Sequence, residues 1–265
     1  LEAGEGGEGP LTLAQVAPSP ITRFAKLYAF TKAMDEMAQA EGLATGMLTL
    51  TLEPEWHPNP SHGANTWNGA SPRDGHRIMA WRWQAILRDL DRAGVGLSGL
   101  RVVEPHKDGC PHWHLWLLYR PEVEIRLLAT VMRYFPGRLK VRAPSRKGQT
   151  AHPDDRIYAS RADLLAGTGR APTHPKEGAQ VELSRIDRGI SSGASYAMKY
   201  LLKTVDAGDT LNQEVDLFGT TEAQKLEQKR QQHQESAKRV DAYRSLWGIN
   251  AGQLFGVAKC LSAWD

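Results

Sequence analysis

The 265-residue sequence predicts an α+β fold, a central antiparallel β-sheet flanked by helices. Three observations carry this prediction. Short apolar segments alternate with a period of two. Longer segments repeat their apolar residues at the helical period. Successive strands are spaced as hairpins require, without long crossovers between them. No internal repeat is present.

Residues 1–20 are rich in Gly, Glu and Pro and read as a flexible tail. An amphipathic helix is expected from Ile21 to about Ala40. Met47–Leu52 reads as a strand with Leu48, Leu50 and Leu52 on one face and Thr49 and Thr51 on the other. Residues 53–75 hold four prolines and form a long loop, a length that often serves function. His76–Ala93 is a helix with Met79, Trp83, Ile86, Leu87 and Leu90 on one face, stopped by Gly94. Leu100–Glu104 is a second strand, Pro105–Pro111 a turn-rich connector and His112–Tyr119 a third strand, antiparallel to the second. A helix follows over Glu122–Tyr134. Residues 135–180 are basic and then Gly/Pro-rich, with weak periodicity. Val181–Ile186 is a further strand and Ser192–Val205 a helix of good helix formers. Thr221–Trp247 is a long, highly charged helix whose sparse apolar positions place it on the outside. Residues 21–265 therefore read as one domain with a peripheral C-terminal helical region.

Hydrophobic residues make up 41% of the chain, enough for a sizeable core. No run of about 18 apolar residues exists to span a membrane. The chain begins at Leu1, so it reads as a fragment, and a targeting signal upstream stays open. Two cysteines, Cys110 and Cys260, are too few for a disulfide framework and point to a reducing compartment. The net charge of +3 says little, but its distribution is informative. Residues 133–147 (RYFPGRLKVRAPSRK) carry six basic side chains and no acidic one. Such a loop is either merely solvated or a phosphate-neutralising surface.

Chemistry concentrates in two stretches. In GCPHWHLWLLY, residues 109–119, strand alternation puts His112, His114, Trp116 and Leu118 on one face. A hairpin through 105–111 brings Glu104 beside His112. Two imidazoles and a carboxylate then converge, with positions left for water and substrate. That donor set suits Mn²⁺ or Mg²⁺ tolerably, and Zn²⁺, Co²⁺ or Ni²⁺ well. The bland alternative is a pair of polar residues on a half-solvated face. His106, in the connector, is either a group behind the ligands or an alternative ligand.

The second stretch is SYAMKYLLK, residues 195–203, a tandem Tyr-x-x-Lys. Tyr196 and Tyr200 share one helical face, and Lys199 and Lys203 follow each by three. A phenol with a pKa of about 10 is a poor nucleophile until a nearby cation lowers it. A metal across the cleft would stabilise charge developing on a phosphate. Rings packed on an ordinary amphipathic helix with snorkelling lysines are the alternative.

These residues carry a resemblance. His112-Trp113-His114 looks like the His-hydrophobic-His signature of the HUH endonucleases. The run from Glu104 to His114 resembles the matching block of bacteriophage replication gene A proteins, which are rolling-circle initiators. Leu48-Thr49-Leu50-Thr51 is similar to that family's first motif, and Tyr196-Ala197-Met198-Lys199-Tyr200 to its two-tyrosine motif. Arg185-Ile186-Asp187, Gly193-Ala194-Ser195, Trp247-Gly248-Ile249, Phe255-Gly256 and Trp264 are similar as well. The likeness runs from about residue 45 to the end. Three positions depart from it: Lys107 where histidine is expected, Cys110 where threonine is usual, and the residues after Lys203. The order of motifs, histidines before tyrosines, is that of replication initiators; conjugative relaxases have the reverse.

The resemblance implies a divalent ion, Mn²⁺ or Mg²⁺, held by Glu104, His112 and His114 opposite the tyrosine helix. It implies transesterification on single-stranded DNA at an origin site, which can be a hairpin, in the cytoplasm of a bacterial host. One tyrosine, with Tyr196 expected first, forms a 5′-phosphotyrosine and frees a 3′-OH, and the second tyrosine acts after one round. Lys199 and Lys203 would stabilise phosphate or phenolate. Arg138, Lys140, Arg142, Arg146, Lys147 and Arg185 are the candidate DNA contacts. Trp56 and Trp67 are available either for base stacking or as loop anchors. A host helicase and polymerase are the implied partners. Three other readings compete: a catalytically silent origin-binding module, a metal-dependent hydrolase using water, and a two-tyrosine transposase of the same superfamily.

Overall fold

Alternating β-branched, aromatic and leucine residues produce the expected hairpin, and it lies within a seven-stranded sheet. The computed structural model describes residues 20–60, 64–144, 152–174, 177–202, 238–250 and 252–257. In chain order the elements begin with α1 (Pro20–Ala40), β1 (Ala44–Thr51), α2 (Pro72–Arg92), β2 (Leu97–Pro105) and β3 (Pro111–Tyr119). They continue with α3 (Glu124–Tyr134), β4 (Leu139–Arg142), β5 (Arg156–Tyr158), α4 (Arg161–Ala166), β6 (Val181–Ile186) and α5 (Gly193–Leu202). Residues 238–247 are helical, and β7 (Gly252–Phe255) follows. The first 19 residues, read as a tail, and most of the expected helix over 221–247 lie outside the described residues.

The strand order is β5-β4-β6-β1-β3-β2-β7. The fold class is α+β as the sequence predicts. One pairing departs from the antiparallel expectation: β4 runs parallel to β6, because β5 and α4 intervene and return the chain. The strands β4, β5 and β7, of four, three and four residues, were not anticipated. They are too short to establish a period of two. The basic stretch 133–147 is therefore not one loop, since 139–142 is strand.

The sheet has two covered faces. Trp113, Leu115, Leu117 and Tyr119 of β3, with Leu48 and Leu50 of β1, pack against Met79, Trp83 and Ile86 of α2 and Leu128 and Val131 of α3. The opposite face presents Met47, Leu100, Val102, Trp116 and Leu118 to Met34 and Ala38 of α1 and Ala197 and Met198 of α5. Trp113 and Trp116 are fully buried on opposite faces. A capping box between Ser71 and Asp74 starts α2. No helix among the described residues is long and apolar enough to cross a membrane.

Candidate functional site

Register decides what meets at the end of β3. Glu104 pairs with His112 across the β2–β3 ladder, and Val102 with His114. On the other side Thr51 pairs with His112 and Thr49 with His114. All point to the face carrying Trp116, so the alternation read from the sequence brings Glu104, His112 and His114 together. The rings of His112 and His114 lie 4.7 Å apart between centroids. Glu104 Oε2 lies 3.4 Å from His114 Nε2.

The threonines of β1 fix the imidazoles. Thr49 Oγ1 is 3.1 Å from His114 Nδ1, and Thr51 Oγ1 is 3.1 Å from His112 Nδ1. With the proton on Nδ1, each hydroxyl accepts and each Nε2 keeps its lone pair, the form a metal ligand needs. The connector is shaped by a turn in which Gly109 takes φ +86, a conformation that favours glycine. The His106 N–H donates to the Cys110 carbonyl at 2.8 Å, and the Gly109 N–H to the His106 carbonyl at 2.9 Å. This puts the His106 ring 4.3 Å from that of His112. His57, from the loop after β1, stacks edge-on to His106 and holds Asp108 Oδ2 at 2.8 Å through Nδ1. Burial, with His57 and His114 nearby, holds the His106 imidazole below its ordinary pKa.

Among the described residues no group of three or more His, Cys, Asp or Glu is arranged as a ready metal site. The residue types nevertheless fit a divalent ion. Two imidazoles offer Nε2 and one carboxylate stands across from them. The gap between Glu104 and His114 is about that of two ligands sharing one ion. His106 Nε2 is also buried with no hydrogen-bond partner.

The tyrosine helix lies on this same face. Ala194, Ala197 and Met198 of α5 are buried, and the latter two pack with Val102 and Trp116. Tyr196, half-buried, lines a cavity of about 120 Å³ with Arg142, Ser184, Arg185, Ile186 and Ser191. That cavity sits at the level of Ser184–Ile186, whose β1 partners are Met47 to Thr45, whereas the histidines stand at the level of Thr49 and Thr51. The side chains of Lys199 and Tyr200, and the whole of Lys203, Arg146 and Lys147, lie outside the described residues.

The expected DNA contacts divide. Arg142 and Arg185 reach the Tyr196 cavity. Arg142 also faces Glu182 at 3.5 Å, and Arg185 grips both carboxylate oxygens of Glu124, which raises its pKa further. Arg138 pairs with Glu177 at 3.2 Å and keeps half its side chain exposed. Lys140 corrects the expectation. It is 3% exposed and donates from Nζ to the Glu177 carbonyl at 3.1 Å, because β4 is an inner strand between β5 and β6. It is a structural cation and not a surface contact. Of the two tryptophans, Trp56 packs against the core and Trp67 stays 46% exposed. The pairing of Thr49 and Thr51 with the histidines and the His57–Asp108 contact were not anticipated. The shared polar face of β1 was the available signal for the first; nothing local signals the second.

The family of bacteriophage replication gene A proteins matches residues 11–208. The replication gene A protein of Escherichia phage 186 is 26% identical over 242 residues, which is 91% of this chain and 29% of that protein. The replication protein of Haemophilus phage HP1 is 26% identical over 245 residues, 91% of this chain and 26% of that protein. A probable replication endonuclease from a prophage-like region of Salmonella paratyphi A is 24% identical over 241 residues, 90% of this chain and 25% of that protein. The chain thus spans between a quarter and a third of the length of these relatives. No solved structure matches significantly.

Proposed function

The chain belongs to the bacteriophage replication gene A protein family, and from that premise we propose that it nicks and rejoins single-stranded DNA at a specific origin sequence by metal-dependent tyrosine transesterification, beginning and ending rolling-circle replication. One observation carries the reading. The Glu104–His112–His114 set and the two-tyrosine helix α5 occupy the same face of one sheet.

The proposed chemistry follows from those groups. A tyrosine oxygen attacks the phosphorus of the scissile phosphodiester as its phenolic proton leaves. The bond from phosphorus to the 3′ oxygen breaks, and that oxygen takes up a proton to become a 3′-OH. The 5′ phosphate stays on the tyrosine, so the bond is conserved without ATP. Glu104, His112 and His114 would hold Mn²⁺ or Mg²⁺, which neutralises charge on the scissile phosphate. With the proton on Nδ1, Thr49 and Thr51 would orient the two rings and leave their Nε2 atoms as donors to the ion. Lys199 and Lys203 would ease loss of the phenolic proton. Arg142 and Arg185, beside Tyr196, would contact neighbouring phosphates. Tyr196 would attack first and Tyr200 would cleave the regenerated junction. The 3′-OH would prime a host polymerase while a host helicase opens the duplex, in the bacterial cytoplasm.

The test uses a pool of single-stranded oligonucleotides of randomised sequence, with Mn²⁺ or EDTA. Wild type, Tyr196→Phe, Tyr200→Phe and the double variant are compared on denaturing gels, and cleaved ends are sequenced. The expected result is a covalent adduct that needs the ion and vanishes in the double variant. Tight binding without any adduct would favour an origin-binding module. Cleavage surviving the double variant would mean a water nucleophile.

A further inference from the structure

The N-terminus of the tyrosine helix is held by a residue far away in sequence. Asp35, on α1, is buried, its side chain 8% exposed. Its Oδ1 accepts from Arg188 Nε at 2.9 Å. Its Oδ2 accepts from the Ser192 hydroxyl at 3.2 Å and from the Ala194 backbone N–H at 3.1 Å. Arg188 in turn donates from Nη1 to the Leu43 carbonyl at 2.6 Å, tying the cluster to the start of β1.

The sheet beneath is equally close. Trp116 Nε1 donates to Thr45 Oγ1 at 2.8 Å. Gly193 rests on that pair so tightly that a Cβ there would stand 2.7 Å from Trp116 Nε1 and 2.8 Å from Thr45 Oγ1. The first residue of α5 is thus pressed onto the sheet, and Asp35 closes over it.

Helix stability alone does not require this. Ser192 already caps α5 locally, its Oγ accepting from the Ser195 N–H at 3.3 Å. A buried carboxylate costs desolvation and persists where charge and donors compensate it, which Arg188, Ser192 and Ala194 do here. What Asp35 adds is a rigid tie between α1, α5 and the sheet. On a helix, a slip of one residue moves a side chain about 1.5 Å along the axis and about 100° around it. A misplacement of about 1 Å at a reacting group can cost about 100-fold in rate.

We propose that Asp35 is a positioning residue for the tyrosine helix. By clamping Arg188, Ser192 and the Ala194 amide, it sets the height and rotation at which positions 196 and 200 are presented over the face carrying Glu104, His112 and His114. The proposal rests on the reading that a tyrosine of α5 attacks DNA.

The experiment compares the full chain with Asp35→Ala and Asp35→Asn through two readouts. The first is amide hydrogen exchange of residues 192–198 against that of β1 and β3. The second is single-turnover adduct formation on a cleaved oligonucleotide, measured beside the affinity for that oligonucleotide. In Asp35→Ala, the first turn of α5 should exchange about tenfold faster, as loss of a cap predicts, with the sheet unchanged. Adduct formation should fall about 10- to 100-fold while affinity stays within about threefold. Asp35→Asn keeps an acceptor for the Ala194 amide and should recover most of both. Unchanged exchange in α5, or an unchanged adduct rate in folded Asp35→Ala, overturns the proposal. So does a rate that falls only in step with affinity. If Asp35→Ala does not fold, Asp35→Asn decides: wild-type exchange and wild-type rate overturn the clamp, and a partial loss in both supports it. If wild type forms no adduct, the transesterification reading fails, and the exchange readout alone decides whether Asp35 holds α5.

Discussion

Glu104 Oε2 and His114 Nε2 stand 3.4 Å apart although they are not register partners; Glu104 is paired with His112. The contact is diagonal, made by two side chains on the same face of an antiparallel ladder. Two donors bound at about 2.0–2.2 Å to one ion at ordinary angles stand about 3–3.4 Å apart. The diagonal is therefore spaced as a pair of ligands would be, and the His112 ring lies on the same face, 4.7 Å from that of His114 between centroids.

If the three residues share one ion, removing any of them weakens binding without unfolding the sheet. His114→Ala should lose Mn²⁺ affinity by more than the ~10–100-fold that loss of a group behind a ligand costs. Glu104→Gln should weaken it as well, because the amide carries no charge. Isothermal titration with Mn²⁺ checks this independently of any DNA reaction. Wild-type affinity in both variants would remove the proposed ion from this place.

Thr49 and Thr51 give a subtler test. Thr49→Val keeps the shape of the β-branched side chain and removes the hydroxyl 3.1 Å from His114 Nδ1. The ring then loses the hydrogen bond that orients it. Mn²⁺ affinity should fall about 10- to 100-fold. Stability should fall by about 1–3 kcal/mol, the cost of an unpaired buried nitrogen. A thermal melt with and without Mn²⁺ separates the two effects.

Elements whose residues show a long, regular pattern were legible in the sequence. Val181–Ile186 is a strand at the bounds that alternation assigns, and the Pro105–Pro111 connector places Glu104 beside His112 as its length requires. Elements set by distant partners were not legible. The basic run hid Leu139–Arg142 because four residues give no period, and their parallel match with β6 rests on tertiary packing. For the same reason the burial of Lys140 is not visible in the basic run around it. Asp35 looks like any polar position on an amphipathic helix, and its partner Arg188 lies 153 residues on. The grouping of Glu104, His112 and His114 was readable because it is local to one hairpin; the Asp35 contacts were not, because they join three separate segments.

Cys110 should be chemically silent in the native protein. It is 2% exposed, and burial, with Asp108 and Glu53 contributing, pushes its thiol up to about 12. The thiolate is the reactive form, so at pH 8 almost none is present, and reagent cannot reach it. Titration with a disulfide reagent should count at most one of the chain's two cysteines before denaturation and both afterwards. A Cys110 adduct found by mass spectrometry on native protein would contradict this packing.

His76 predicts how stability falls in acid. It packs beside Trp113, with ring centroids 5.3 Å apart. Burial first, and then the Arg101 guanidinium, lower its pKa from 6.5 to about 4. The folded protein thus keeps this imidazole neutral where the unfolded chain protonates it. The stabilisation is complete above about pH 6.5 and is lost progressively as pH falls towards 4, because the unfolded state binds the extra proton. The loss attributable to this residue should be on the order of 1–2 kcal/mol, below the full value of the shift because the ring is only partly buried. His76→Phe, which cannot titrate, should melt with a shallower dependence on pH between 6.5 and 4.5 than wild type, whatever its stability at pH 7.5. Denaturant unfolding of both proteins at several pH values measures the two slopes. Equal slopes would mean that His76 is protonated as easily in the folded state as in the unfolded one.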